Sequence, residues 1–220
     1  EDGKLTTFGA AGYAVLETVV ELNNNGIHMP LWATCLGFQL LNVLSAGPDN
    51  SVLYTGLDSE NLALPLDITS DFKSSRMFGA AGLEIQSILV NQNTTMNNHQ
   101  SGILPSAYQT NQMLADRFNI LSTNVDRKGK EFISSIEGKT LPLYATQWHP
   151  EKVQFEWRPD EVIPHSSDAV TANSFFARWI GQEARRNNNS FTGTPDWIYN
   201  YPVTYTFAHI PSFVQCYFFE

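Results

Sequence analysis

Cys35 stands between two segments with different apolar patterns. Residues 30–34 form a short apolar run, which predicts a strand, and residues 36–44 place apolar side chains at helical spacing. Cys35 is therefore predicted at a strand-to-helix turn, where the first amides and the positive dipole end of the helix favour the nucleophilic thiolate. Gly37 is expected where a tight turn leaves no room for a side chain. Taken alone, the pattern fits a nucleophile, a small buried hydrophobe or half of a disulfide with Cys216.

A thiolate nucleophile needs a partner that transfers protons, and His149 is the candidate. His149 follows a predicted strand at 141–147 and precedes Glu151 by two residues. Alternate side chains of an extended chain share one side, so Glu151 can hold one ring nitrogen while the other faces Cys35. Taken alone, this pair also fits a surface histidine beside a solvated glutamate. The two segments together predict a Cys-His-Glu triad that requires neither a metal nor an organic cofactor.

The predicted elements around these residues alternate between helix and strand. Helices are predicted at 13–22, 36–44, 108–118 and 168–186, and strands at 30–34, 119–124, 131–137 and 141–147. A loop at 187–196 leads to a final aromatic-rich strand pair, at 201–207 and 214–219. This alternation is typical of an α/β sheet within a single domain spanning 1–220.

Composition narrows the classes of protein and partner. The 220 residues are 42% hydrophobic, which is enough for a globular core. With 22 acidic and 13 basic residues, the net charge of -9 argues against binding to nucleic acid or to an anionic membrane. The acidic balance does not exclude an anionic small-molecule substrate, because local donors can bind it. The N-terminus lacks the basic segment and apolar stretch of a signal peptide.

Two segments resemble the signature segments of the gamma-glutamyl hydrolase family. They are PLWATCLGFQ at 30–39 and QWHPEK at 147–152. The parent group, the class I glutamine amidotransferase-like superfamily, shares the Cys-x-Gly turn and the His-Pro-Glu run, whereas Trp148 and Lys152 point to the hydrolase branch. Segments 75–78, 98–100 and 212–217 are also similar to the family, so the likeness extends from about residue 13 onward.

The resemblance implies a fold and a set of catalytic roles. The fold is a three-layer α/β/α sandwich around a mostly parallel sheet, with a nucleophile elbow. Cys35 would be the nucleophile, His149 the acid and base, and Glu151 its partner. Because only 34 residues precede Cys35, we expect N-terminal βα units of this fold to be missing and one side of the central strand to be exposed. Residues 9–12, Gly-Ala-Ala-Gly, would be the remnant of a loop that supplies an oxyanion donor.

Three further residues are assigned to substrate binding. The resemblance places His99 near the substrate, although a polar loop histidine is the alternative. The backbone N–H of Leu36 would hold the oxyanion. Gln39 either binds the glutamyl group or is an amide satisfied within the protein. The family also has a cysteine at the position of Cys216, with no catalytic role that chemistry suggests.

The expected activity is hydrolysis of γ-glutamyl amide bonds through a thioester. By the resemblance, the substrates would be poly-γ-glutamyl folates and antifolates, and the compartment would be lysosomal, vacuolar or secreted. A homodimer is the oligomeric state that we consider. Two alternatives stay open, namely a glutaminase subunit that passes ammonia to a synthetase and a truncated pseudoenzyme without an assembled oxyanion hole.

Overall fold

A computed structural model describes residues 6–190, 192–194, 196–206 and 215–218. Its elements in chain order are α1 (Thr7–Asn24), β1 (Leu31–Thr34), α2 (Leu36–Ser45), β2 (Leu53–Leu64), β3 (Asp67–Ile68), α3 (Arg76–Gly79), α4 (Leu83–Asn91), β4 (Thr95–Ile103), α5 (Pro105–Thr110), α6 (Gln112–Arg117), β5 (Phe118–Val125), β6 (Glu131–Gly138), β7 (Leu143–Thr146), α7 (Lys152–Phe155), α8 (Ser167–Ala184), β8 (Val203–Tyr205) and β9 (Gln215–Tyr217). Two short 3-10 turns, Asn50–Val52 and Ile198–Asn200, complete the described elements.

The main sheet has five strands in the order β1-β7-β6-β5-β3. β1 and β7 are parallel, whereas the other three pairings are antiparallel. The predicted α/β class is confirmed, but the mostly parallel sheet is wrong for the described residues, which form a mixed sheet. Short turns join β5 to β6 and β6 to β7, and connections of that length permit only antiparallel neighbours. β2 pairs with β4 in a separate antiparallel ribbon.

Helices cover both faces of the main sheet. Successive residues of a strand point to opposite faces, and β7 shows this directly. Leu143 and Ala145 lie in a core cluster with residues of α1 and α2, whereas Tyr144 lies in a second cluster with residues of α4 and α8. The expected α/β/α layering is therefore confirmed.

The N-terminal glycines lie in a helix. The Thr6 side chain accepts a hydrogen bond from the Gly9 N–H and caps α1, so this helix begins well before the predicted start at residue 13. A Cβ at Gly12 would clash with Cδ2 of Leu40, because α1 and α2 approach closely at this point. The expectation that residues 9–12 are a remnant oxyanion loop is wrong for this reason.

The predicted helix at 108–118 is interrupted. Asn111 has an extended backbone, with φ -112° and ψ 103°, and its side chain accepts from the Leu114 N–H to start a new helix. Asparagine favours such caps because its short polar side chain competes for backbone groups. The region therefore forms two short helices, α5 and α6.

β1 pairs on one side only among the described residues, where its partner is β7. Beside it lies an apolar cavity of about 250 Å³ whose walls include Trp32, Phe176 and Ile180. The expectation that N-terminal βα units of the fold are missing from this chain stays a prediction. The final strand pair is found as β8 and β9. Residues 207, 214 and 219 of the predicted pair lie outside the described residues, as do residues 212–214 of the family-like segment.

Candidate active site

Cys35 occupies the predicted turn between β1 and α2. Its backbone has φ 50° and ψ -102°, a conformation that costs a non-glycine residue about 1–3 kcal/mol. Two hydrogen bonds hold it there. The Cys35 N–H donates to the Thr146 carbonyl at 2.9 Å, and the Cys35 carbonyl accepts from the Gln39 N–H at 3.0 Å. The residue thus ends the β1–β7 ladder and begins α2 at once, which leaves its partly exposed thiol projecting from the turn.

The turn is strained at Cys35 itself. A Cβ at Gly37 would lie 3.5 Å from the Cβ of Ala33, an ordinary contact, so the expectation of no room there is wrong. The first amides of α2, beginning with that of Leu36, have no acceptor within the helix, and the Cys35 side chain does not cap them. These N–H groups are therefore available beside the sulfur for an anionic oxygen.

His149 and Glu151 are in contact, as predicted, but for a different reason. The Nδ1 atom of His149 lies 2.6 Å from Oε1 of Glu151. β7 ends at Thr146, and Glu151 has a helical backbone with φ -72° and ψ -32° at the start of α7. The chain therefore turns back on itself, and alternation along an extended strand does not account for the pair. The backbone N–H of His149 donates to the Met96 carbonyl at 2.9 Å, and this bond fixes the start of the turn.

The electrostatics of the three side chains are coupled. Burial alone would lower the pKa of His149, but hydrogen bonds with the side chains of Cys35 and Glu151 raise it to about 9. Burial alone would raise the pKa of Glu151, but the hydrogen bond and charge of His149 hold it below its usual value. Because Nδ1 of His149 faces Glu151, Nε2 is the nitrogen left for Cys35. The structure thus brings the three predicted side chains together.

His99 lies on β4, where it is 5% exposed. Its Nδ1 is 2.9 Å from the Ser101 carbonyl oxygen, Nε2 is 3.2 Å from Oδ1 of Asn97, and the ring stands edge-on to Phe132. Burial, with a smaller contribution from His149, lowers the pKa of His99 to about 4. The neutral ring donates through one nitrogen only, and the shorter Ser101 contact is that bond. The expected approach of His99 to a substrate stays a prediction.

Gln39 is buried with its amide engaged inside the protein. Its Nε2 donates to the Ser101 carbonyl at 2.8 Å and to Oε1 of Gln147 at 3.3 Å. Both donor hydrogens of this amide are thereby used, which matches the expected internally satisfied amide. Cys35 and Cys216 are both free, so the alternative of a disulfide between them is excluded.

Comparison with known proteins gives the family. The model of a family described as Peptidase C26 matches residues 15–151, a range that contains Cys35, His149 and Glu151. The chain belongs to the peptidase C26 family. Its relatives include gamma-glutamyl hydrolase of Mus musculus, which is 40% identical over 91% of this chain and 63% of that protein. The predicted resemblance to gamma-glutamyl hydrolases is confirmed.

Two other relatives have a similar sequence identity to this peptidase C26 member. Gamma-glutamyl hydrolase of Homo sapiens is 37% identical over 90% of this chain and 62% of that protein, and gamma-glutamyl hydrolase B of Dictyostelium discoideum is 36% identical over 88% and 56%. The chain therefore spans less than two thirds of the length of each of these relatives. A solved structure from Thermoplasma acidophilum, described as that of a putative GMP synthase component, aligns with 78% of this chain and 66% of its own at a TM-score of 0.39 and 15% identity, a similarity too distant to carry weight.

One site residue of this C26 member, Gln147, was not predicted from the sequence. Gln147 is fully buried, and its Nε2 lies 3.7 Å from the sulfur of Cys35. Its only signal in the sequence was its place in the QWHPEK segment, just ahead of His149. Periodicity cannot reveal such a contact, because 112 positions separate Gln147 from Cys35.

The surroundings hold neither a metal cluster nor a membrane helix within the described ranges. No group of three or more His, Cys, Asp or Glu side chains in the described residues is arranged to bind a metal ion. Among those same residues, every helix is too short or too polar to cross a bilayer.

Proposed function

We propose that this peptidase C26 member hydrolyses γ-glutamyl amide bonds with Cys35 as its nucleophile. The observation that carries the proposal is the geometry of the turn, where the Cys35 thiol projects beside the first amides of α2 and the His149 ring is held at 2.6 Å by Glu151. Interaction with Cys35 also helps to raise the pKa of His149. A thiol, a base and an oriented carboxylate in this order are the parts of a cysteine hydrolase. Three relatives that are 36–40% identical to this chain are named gamma-glutamyl hydrolases, and these names indicate the γ-glutamyl amide as the bond that is cleaved.

The first chemical step is attack of the Cys35 sulfur on the γ-carbonyl carbon. A carbon–sulfur bond forms, and the carbonyl electron pair moves to the oxygen. The resulting oxyanion needs donors at the position where its charge develops, and the Leu36 N–H at the start of α2 is such a donor. The positive end of the α2 dipole acts in the same direction.

His149 then serves as the general acid. A pKa raised to about 9 keeps its ring protonated at neutral pH, so Nε2 has a proton to give to the leaving amine. The carbon–nitrogen bond breaks, and a γ-glutamyl thioester of Cys35 is left. Glu151 holds Nδ1 throughout and compensates the charge on the ring.

Hydrolysis of the thioester returns the site to its starting state. His149, now neutral, accepts a proton from water as the water oxygen attacks the thioester carbon. Collapse of the second tetrahedral intermediate breaks the carbon–sulfur bond and releases the γ-carboxylic acid, which loses its proton to solvent, and the Cys35 thiolate beside a protonated His149. The cycle consumes one water and requires no cofactor.

The finer proposal is that the substrates are poly-γ-glutamyl folates. Its support is the resemblance of residues 30–39 and 147–152 to the gamma-glutamyl hydrolase signatures, with Trp148 and Lys152 on the hydrolase side. The net charge of -9 is no obstacle, because binding of an anionic substrate depends on local donors.

A turnover assay tests both levels of the proposal. The chain is incubated separately with a folyl poly-γ-glutamate, a γ-glutamyl dipeptide and free glutamine, and the products are identified by mass spectrometry. Hydroxylamine added during turnover should trap the thioester as a γ-glutamyl hydroxamate. Cys35→Ala should abolish product and hydroxamate, whereas Cys216→Ala, a matched loss of the other thiol, should leave both.

Each outcome has a distinct meaning. Cleavage of the dipeptide but not of the folate would support γ-glutamyl hydrolysis and overturn the folate substrate. Ammonia from glutamine as the dominant product would favour a glutaminase. Folded protein without turnover on any of the three substrates would favour a pseudoenzyme.

A further inference from the structure

We propose that Gln147 is a further catalytic residue, whose side-chain amide donates a hydrogen bond to the Cys35 sulfur and stabilises it as a thiolate. Its catalytic meaning rests on the proposed hydrolysis. The contact itself is a property of the resting protein. Nε2 of Gln147 lies 3.7 Å from Sγ of Cys35, within the longer range of hydrogen bonds to sulfur. Gln147 is fully buried, so water does not compete for this amide.

The orientation of the Gln147 amide is set by its neighbour. Nε2 of Gln39 donates to the Ser101 carbonyl at 2.8 Å, which fixes which end of the Gln39 amide faces inward. The same Nε2 is 3.3 Å from Oε1 of Gln147. Since the Gln39 nitrogen can only donate, Gln147 must present its oxygen to Gln39 and its nitrogen to the sulfur.

The backbone around Gln147 is equally restrained. Its N–H donates to the Ser134 carbonyl at 2.8 Å, which ties it to β6. A Cβ at Gly102 would lie 3.5 Å from Oε1 of Gln147, so β4 packs directly against the amide. Beyond Gln39, the Ser101 carbonyl also contacts Nδ1 of His99 at 2.9 Å. A continuous chain of hydrogen bonds therefore runs from His99 to the sulfur.

An amide N–H distinguishes the two protonation states of cysteine. A thiolate is a strong acceptor and a thiol sulfur a weak one, so the hydrogen bond favours the charged form. Within the described part of the chain, His149 interacts with Cys35 and Glu151 lies behind it, while His99 on β4 is neutral. The thiolate is present before attack and again after hydrolysis of the thioester, and in both states the Gln147 amide adds a neutral donor to the charge of His149.

The test is the pH dependence of iodoacetamide labelling of Cys35, followed on the 220-residue chain by mass spectrometry of the Cys35 peptide. Gln147→Met fills the space but cannot donate, and we expect the half-point of the labelling rate to move up by about one pH unit. Gln147→Glu keeps an acceptor for Gln39 but turns an acceptor toward the sulfur, so its shift should be larger. Gln39→Met leaves Gln147 in place without its anchor and should give a smaller shift in the same direction.

The control is Gln86→Met, which removes an amide that donates to the Phe78 and Ala81 carbonyls away from the site. It should lower stability without moving the labelling half-point. If the Gln147 variants shift the half-point no further than this control, the inference is overturned. If Gln147→Met does not fold, the labelling half-points of Gln147→Glu and Gln39→Met, compared with that of Gln86→Met, test the inference in the same way. Labelling needs no substrate, so this result is independent of whether the chain hydrolyses a γ-glutamyl bond.

Discussion

The backbone N–H of Cys35 donates to the carbonyl of Thr146 at 2.9 Å. This bond extends the parallel β1–β7 pairing, in which Thr34 lies opposite Thr146, by one residue. It joins the nucleophile turn to the strand that leads into His149, so both site segments leave the sheet at the same edge. Strand ends of this kind are where open α/β sheets place their ligand sites.

The first prediction concerns the protonation of His149. Cys35→Ala removes a hydrogen bond and a charge that raise the pKa of His149, while the burial that lowers it remains. The pKa should therefore fall from about 9 toward neutrality. NMR titration of the ring nitrogens measures this directly. An unchanged value in Cys35→Ala would mean that the sulfur does not interact with His149.

The second prediction concerns the role of Glu151. Glu151→Gln keeps the shape of the side chain but removes the charge that orients and compensates the His149 ring, so kcat should fall by about 10²-fold or more. Glu156→Gln is the matched control, since Glu156 pairs with Lys152 in the adjoining helix α7. Its kcat should stay close to that of the unchanged chain. Equal losses in both variants would remove Glu151 from the mechanism.

The third prediction concerns stability in acid. The pKa of His99 is about 4 in the folded protein and 6.5 when unperturbed, so the unfolded chain binds the extra proton first as the pH falls. Stability from the neutral ring is present above about pH 6.5 and is lost progressively down to about pH 4, by about 3 kcal/mol in all.

Urea unfolding at a series of pH values measures this loss. His99→Gln cannot titrate and should show a flatter profile over the same window. If His99→Gln loses as much stability in acid as the parent chain, groups other than His99 cause the loss.

The fourth prediction assigns a structural role to the family-like segment 75–78. Buried Glu137 accepts from the Arg76 and Met77 N–H groups and from Nε of Arg76, at 2.9–3.2 Å. Glu137→Ala leaves two backbone donors unpaired, while the partly exposed Arg76 guanidinium can reach water, so the chain should lose about 1–3 kcal/mol of stability. Denaturant unfolding gives the loss. Iodoacetamide labelling of Cys35 in the folded variant should be unchanged, and a slowed reaction would instead tie the segment to the site.

The sequence by itself determined several local elements and the principal site residues, whereas no element between residues 53 and 103 was predicted. Apolar periodicity located β1, α2, β5, β6 and α8 to within a few residues, because each pattern reports which face of one element is buried. The change of pattern at Cys35 located the turn. The spacing of His149 and Glu151 indicated their contact, since residues so close in sequence stay close in most conformations.

The tertiary structure decided everything that depends on how distant segments pack. Residues 9–12 are helical because Gly12 meets Leu40, and the sheet is mixed because short turns join β5, β6 and β7. The contact between Gln147 and Cys35 crosses 112 positions of sequence. It exists only because the parallel register of β1 on β7 brings both strand ends to one edge, where a buried amide must find a partner.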